Sequence, residues 1–337
     1  MAKIGIIGAG SWGIALGWLL NNNGCSVQIW SALGDEIDML LKEREHKDKL
    51  PGVKLDEKIS FTKELKEVCT DKELLVLAVP SIFTRQTAAK MKDFVKDGQI
   101  VVNVAKGIEE STLLTLDKQI EEELPQADVA VLSGPTHAEE VGRGLPTTIV
   151  AAAAKKSTAE YVQKIFSSEV FRVYTSPDVL GVELGGALKN VVALAAGMAD
   201  GLGYGDNTKA ALITRGLAEM TRLGLAMGGA AETFAGLTGM GDLIVTCASQ
   251  HSRNRRAGFL MGQGKSPKEA MDEVKMVVEG VYSAKAAIAL AKKYGIEMPI
   301  VEQVNHILFE ERPVKDAVRE LMLRDPKSEH SALPWEG

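Results

Sequence analysis

The sequence predicts an α/β chain in two parts, a doubly wound parallel sheet followed by an all-helical half. Three observations carry that reading. The apolar run Lys3–Ile7 breaks directly into glycines at 8, 10 and 13, the pattern of a buried parallel strand turning into a helix. Short β-branched runs then alternate with amphipathic helical stretches as far as Tyr174. From about Pro177 the strand signal disappears, and the remainder is helical and rich in Ala, Gly, Leu and Met. At 337 residues the chain is long enough for two domains, each with its own core.

Taken in order, Ile4, Ile6 and Ile7 make the first strand, and the helix after the glycines covers Ile14–Asn23. A second strand, Ser26–Trp30, follows the Asn23–Gly24 break. Further strands are expected at Leu74–Ala78, Ile100–Val104, Val129–Ser133, Thr147–Ala152 and Phe171–Tyr174. Helices Ser81–Val95, Ser111–Glu123 and Ser157–Phe166 lie between them as the crossovers that parallel strands require. The second half reads as helices Val179–Asp200, Asn207–Met227, Ser283–Tyr294 and Pro299–Phe309. The expected division is a sheet domain over 1–182, a helical domain over 183–325 and a tail over 326–337, with Asp325–Gly337 expected to fray.

Composition narrows the function class. Apolar residues make up 45% and charged residues 25%, ordinary for a soluble globular protein. A net charge of −6 argues against a nucleic-acid binder, while leaving room for a local basic pocket. Cys25, Cys69 and Cys247 form no CxxC motif and no even framework, so they read as reduced thiols of a cytoplasmic protein. Five scattered His give no metal-ligand spacing, and no metal is expected. The longest apolar stretch, around Val191–Met198, is too short to span a membrane. A signal peptide is not expected either, because the glycine turn consumes the first apolar run.

The glycine turn points to a dinucleotide. Gly8 permits the sharp exit from the strand, Gly10 lets the backbone approach a phosphate, and Gly13 lets the helix pack close to the sheet. Backbone N–H groups at the helix start, those of Ser11 and Trp12 included, then face the negative charge of a pyrophosphate. The second strand ends Trp30–Ser31–Ala32–Leu33, with neither the acid that binds a ribose hydroxyl nor the base that takes a 2′-phosphate. Ser31 suits either, and Asp35 or Glu36 lies within reach, so NAD and NADP both stay open. Other loops at strand C-termini are candidates for the same crevice. Val79–Pro80–Ser81 is one. Lys106, beside Gly107, follows Ile100–Val104 and reads as a pocket lysine. Gly134–Pro135–Thr136 opens a helix, with Thr136 as N-cap and Glu139 completing a capping box.

The helical half supplies the acid–base candidates. Lys189 sits in an almost wholly apolar helix, where desolvation lowers an ammonium pKa and makes it a usable proton donor. Gly185 and Gly186, one turn earlier, allow another backbone or a ligand to come close, and Asn190 adjoins the lysine. Asp242 and Thr246 are four apart and share a helix face. Ser252, Arg253 and Asn254 open another helix, with Ser252 as N-cap and Arg253 offering a planar fork to a phosphate.

These segments also carry a resemblance. GAGSWG, NVAKGIE, SGPTHAEEV, the block from ELGGALKN to GDNTKAALITRGLAEM, GLTGMGDLIVTC, SRNRR and VVEGVYSA closely resemble the NAD(P)-dependent glycerol-3-phosphate dehydrogenase family, bacterial type. The match is collinear to about residue 325. It implies a Rossmann-like domain followed by a helical one, and reversible reduction of dihydroxyacetone phosphate to sn-glycerol 3-phosphate for glycerophospholipid synthesis. Lys189 then aligns with the catalytic general acid or base. Lys106 aligns with a lysine touching cofactor and substrate, and Asp242 and Thr246 with polar groups around the site. Gly134 and Thr136 match substrate-side positions and Ala138 a cofactor-side one. Ser252, Arg253 and Asn254 match the phosphate-binding segment, with Arg253 also reaching the cofactor. Val277 and Glu279 match positions at the nicotinamide end. A homodimer is expected from the fold alone. The rival readings are a β-hydroxyacid dehydrogenase, which also uses a helix lysine with Asn nearby, and a catalytically silent dinucleotide sensor.

Overall fold

The computed structural model describes residues 1–329; the last part of the expected tail, 330–337, lies outside the described residues. Eight strands form one sheet: β1 (Lys3–Ile7), β2 (Ser26–Trp30), β3 (Ser60–Thr62), β4 (Leu74–Leu77), β5 (Ile100–Asn103), β6 (Asp128–Ser133), β7 (Thr147–Ala153) and β8 (Phe171–Ser176). Their order is β3-β2-β1-β4-β5-β6-β7-β8, so the chain winds outward from β1 in one direction and returns to continue from β4 in the other. The crevice between β1 and β4 is the switch point, where ligands of such sheets bind. Ile4, Ile6 and Ile7 of β1 and all four residues of β4 are fully buried, as strands covered on both faces must be.

Two expectations about the sheet need correction. It is not wholly parallel: β7 runs antiparallel to β6, with Ala130 opposite Ala153, and β8 is parallel to β7. The only helix between β6 and β7 is the four-residue Ala138–Val141. At about 1.5 Å per residue it is too short to carry the chain back along the sheet, so the next strand returns in the opposite sense. The short strand β3 also went unread, because three residues give no period to detect. Two helices are shorter than expected. Ser81–Val95 divides into a 3₁₀ turn, Ser81–Phe83, and a helix, Thr84–Met91. Ser111–Glu123 starts only at Leu116, since Ile108 first bridges Thr115 in an antiparallel pair.

The chain changes character between Ser176 and Val179, and residue 182 is already the fourth of the helix Val179–Gly201. That helix is the axis of the helical half and is buried along most of its length. Contrary to expectation it is long and apolar enough to cross a membrane, yet 83% of its most apolar stretch lies inside the protein. Its closest neighbour is the helix Arg253–Gly262. The two touch backbone to backbone: a Cβ on Gly197 would stand 2.0 Å from the Arg255 carbonyl oxygen, and one on Gly258 would stand 2.1 Å from that of Leu194. This contact fixes the start of Arg253–Gly262 relative to the middle of Val179–Gly201. Both carry candidate site residues.

Candidate active site

At the C-terminal end of β1 the backbone forms an anion cradle. Gly8 has φ +125°, which L side chains rarely adopt, and its N–H donates to the Trp30 carbonyl at 2.9 Å. A Cβ on Gly13 would stand 2.1 Å from the Gly8 carbonyl oxygen, so only glycine lets the helix Ser11–Asn22 start this close to the turn. Gly10 faces open space, with nothing within 4 Å of where its Cβ would be. It is the N-cap residue, and no side chain caps the helix. The amides of Ser11, Trp12 and Gly13 therefore point with the helix dipole into the gap that Gly10 leaves. The cradle fits a dinucleotide pyrophosphate.

Three charged side chains meet beyond the C-terminal end of β5. Lys106 follows β5, Lys189 lies midway along Val179–Gly201, and Asp242 opens the helix Asp242–Ala248 after a turn of π-helix, Leu237–Gly241. One carboxylate holds both ammonium groups: Lys106 Nζ lies 2.5 Å from Asp242 Oδ2, and Lys189 Nζ 3.0 Å from Oδ1. Lys189 also donates to Thr246 Oγ1 at 2.7 Å, and that hydroxyl donates to the Asp242 carbonyl at 2.6 Å. Lys106 donates to the Gly134 carbonyl at 2.9 Å. A Cβ on Gly186 would stand 3.3 Å from Lys106 Cγ, so the bare helix surface there receives the lysine stem. A Cβ on Gly185 would stand 2.7 Å from the Thr238 carbonyl oxygen, so the turn before Asp242 packs directly on the helix there.

Burial sets the electrostatics. Lys189 is 6% exposed and Asp242 1%. Desolvation pulls the Lys189 ammonium down, Asp242 opposes it and Lys106 adds to it, leaving a pKa of about 8. Desolvation pushes the Asp242 carboxyl up, but the two ammonium groups outweigh it and hold the acid below its ordinary range. The cluster is thus an ionised carboxylate between two cations, one of them poised near neutral pH.

A second group lies at the start of Arg253–Gly262. Ser252 caps that helix as expected, accepting from the Arg255 amide at 3.2 Å. Arg253 donates one N–H to the Val277 carbonyl at 3.2 Å, its one hydrogen bond among the described residues, so most of its fork stays available. Asn254 donates to Asn190 Oδ1 at 2.9 Å and accepts from the Gly280 amide at 2.8 Å. Glu279, at the head of the helix Glu279–Tyr294, accepts from the Ser81 amide at 3.0 Å and also from the Ser81 hydroxyl. Through these bonds the loop after β4, the Arg253 helix and the Glu279 helix close on one another.

Models of the two halves of one family match this chain, NAD-dependent glycerol-3-phosphate dehydrogenase N-terminus over residues 3–159 and C-terminus over 178–319. The chain belongs to the NAD-dependent glycerol-3-phosphate dehydrogenase family. It is 66% identical over 335 residues to the glycerol-3-phosphate dehydrogenase [NAD(P)+] of Agathobacter rectalis, covering 99% of this chain and 100% of that one. It is 60% identical over 331 residues to that of Fusobacterium nucleatum, covering 98% and 99%. The crystal structure of glycerol-3-phosphate dehydrogenase from Coxiella burnetii superposes with a TM-score of 0.93 at 38% identity, over 96% of this chain and 99% of that one. The chain is an NAD(P)-dependent oxidoreductase.

For a glycerol-3-phosphate dehydrogenase, several residues sit differently from expectation. Thr136 is not an N-cap: the helix starts at Ala138, His137 precedes it, and no side chain caps it. Gly134, at φ +156°, turns the chain so that Thr136 Oγ1 donates back to the Gly134 carbonyl at 3.2 Å, and no capping box forms with Glu139. That carbonyl thus receives both Thr136 and Lys106. Asn190 and Asn254 are directed at each other, linking the Lys189 helix to the Arg253 segment. Ala138 is buried in the first turn of its helix. One residue escaped the sequence reading, and another reads only as part of a loop. Glu183, 2% exposed, accepts from Asn103 Nδ2 at 2.9 Å and from the Asp117 amide at 3.1 Å, pinning the end of β5 to the Lys189 helix. A carboxylate in an apolar helix is the signal that singled out Lys189, and it was there to be read. Ser81 enters only within the loop Val79–Pro80–Ser81, and no sequence signal pairs it with Glu279.

Proposed function

We propose that this enzyme reversibly reduces dihydroxyacetone phosphate to sn-glycerol 3-phosphate, with Lys189 as general acid and, in the reverse direction, general base. One observation carries this: the Asp242 carboxylate draws together two ammonium groups, one from each half of the chain. A bound nicotinamide supplies the hydride. At neutral pH Lys189 holds a proton on Nζ, because its pKa of about 8 lies just above. As negative charge grows on the ketone oxygen, that ammonium neutralises it and delivers the proton. Lys106 adds a second positive charge, held between Asp242 and the Gly134 carbonyl. Asp242 and Thr246 keep Lys189 Nζ in place between transfers. Ser252, Arg253 and the start of the Arg253–Gly262 helix form the phosphate site, turning remote binding energy into orientation at the carbonyl.

The product fits glycerophospholipid synthesis. The three cysteines are free and buried, in keeping with a cytoplasmic protein, and the net charge of −6 with no nucleic-acid partner. Pairing of the helical halves in a homodimer is a further proposal that sedimentation decides.

The test is substrate choice. The enzyme should oxidise NADH or NADPH with dihydroxyacetone phosphate and leave a β-keto acid of similar size almost untouched. The reverse preference would favour the β-hydroxyacid dehydrogenase reading, and tight cofactor binding without turnover would favour a silent sensor. Arg253→Ala separates the phosphate contact from the chemistry. It should weaken dihydroxyacetone phosphate binding by about 1.5–3 kcal/mol, the scale of a charged hydrogen bond, and leave the poor turnover of unphosphorylated dihydroxyacetone nearly unchanged. An equal loss with both substrates would mean that the guanidinium holds something else.

A further inference from the structure

In sheets of this kind the adenosine ribose is read at the end of the second strand, where an acid binds its hydroxyls or a base takes a 2′-phosphate. Here that strand end lies against the glycine cradle, through the bond from the Gly8 amide to the Trp30 carbonyl. The loop that follows, Ser31–Ala32–Leu33–Gly34, contains no cation. The acid that the loop lacks comes instead from the first turn of the helix Gly34–Glu43. Ser31 Oγ donates to Glu36 Oε2 at 2.6 Å while accepting from the Leu33 amide at 3.1 Å. The other Glu36 oxygen is paired with Lys49 and lies 3.5 Å from His46 Nε2.

Both lysines that approach this loop already have a carboxylate. Lys49 is held by Glu36. Lys63 reaches within 3.7 Å of where a Cβ on Gly34 would stand, and is paired with Asp38 at 2.7 Å. Burial pushes the Glu36 carboxyl up, but the nearby His46 ring and the bonds from Lys49 and Ser31 overcome it and bring its pKa to about 2. The negative charge is therefore permanent wherever the enzyme works.

We propose that Glu36, acting with Ser31, makes this enzyme select NADH over NADPH, accepting the ribose hydroxyls and repelling a 2′-phosphate. The proposal rests on the dehydrogenase reading and goes beyond it to name the cofactor. A carboxylate accepts hydrogen bonds from a diol but has none to accept from a phosphate dianion, and the two lysines nearby are already held by Glu36 and Asp38, so a 2′-phosphate must compete with a carboxylate for either ammonium.

Calorimetric titration of the enzyme with NADH and with NADPH, without substrate, tests it. NADH should bind at least about tenfold more tightly, and Glu36→Gln should narrow that ratio about tenfold. On the unaltered enzyme the gap should also shrink as salt rises from about 0.05 to 0.5 M, because screening weakens repulsion between partly exposed charges. That measurement needs no variant, so it stands even if Glu36→Gln fails to fold after losing its partners. NADPH binding as tight as NADH, a folded Glu36→Gln with an unchanged ratio, or a gap indifferent to salt would each overturn the proposal. If neither nucleotide binds, the dehydrogenase reading itself fails with it.

Discussion

Replacing Lys189 with alanine should lower kcat for dihydroxyacetone phosphate reduction by about 10²–10⁴-fold while leaving NADH affinity unchanged within about threefold. The asymmetry follows from where the side chain stands. Its ammonium is bound to Asp242 and Thr246 in the helical half, whereas the nucleotide cradle is made of backbone at the end of β1. A substitution that enlarged KM alone would point to a binding role. One that lowers kcat and kcat/KM together removes an interaction made only in the transition state. Steady-state kinetics beside a nucleotide titration separates the two, and near-normal kcat would retire Lys189 from proton transfer.

Asp242→Asn should be the most damaging single change in the molecule. The carboxylate is 1% exposed and is the shared counter-charge of Lys106 and Lys189. An amide keeps the shape but leaves buried ammonium groups uncompensated, at a cost of about 3–5 kcal/mol in stability. Releasing the Lys189 proton reduces that cost, and this removes the proposed general acid. Stability and turnover therefore fall together. Chemical denaturation and kcat at neutral pH measure both, and a variant with both near wild type would contradict the account of the cluster.

How much of this was legible in the sequence depends on how local each signal is. The glycine turn was readable because strand, turn and helix start lie within a few residues, and the steric demand on Gly13 comes from the Gly8 carbonyl five residues back; the demand on Gly8, whose Cβ would stand 2.6 Å from the Ala78 carbonyl oxygen, is visible only in the folded sheet. Lys189 stood out because a charge in an apolar helix has few uses. That Lys106, Lys189 and Asp242 converge is written in no segment: it depends on a contact between residues 53 and 136 positions apart. The family resemblance supplied that convergence, and spacing alone did not. The antiparallel β7 went unread because the sequence does not show that the helix before it, Ala138–Val141, is only four residues long. The missing cap at Thr136 has another reason: Gly134 redirects the chain there at φ +156°. At the strand end after β2, the loop Ser31–Gly34 reads as uncharged with Asp35 or Glu36 in reach; folding decides between the two by turning Glu36 back onto Ser31 from the next helix.

The central claim is that a buried ammonium with a lowered pKa moves the proton. The most direct measurement is the pH dependence of kcat/KM in both directions on the wild-type enzyme, which reports the groups of the free enzyme. Reduction needs Lys189 protonated, so its rate should be level below neutral pH and fall as pH rises through about 8; oxidation needs it deprotonated and should rise over the same interval. Opposed limbs meeting near that pH are what the geometry predicts. Two profiles that both stay flat to the ordinary lysine range, at about pH 10, would mean that some other group carries the proton.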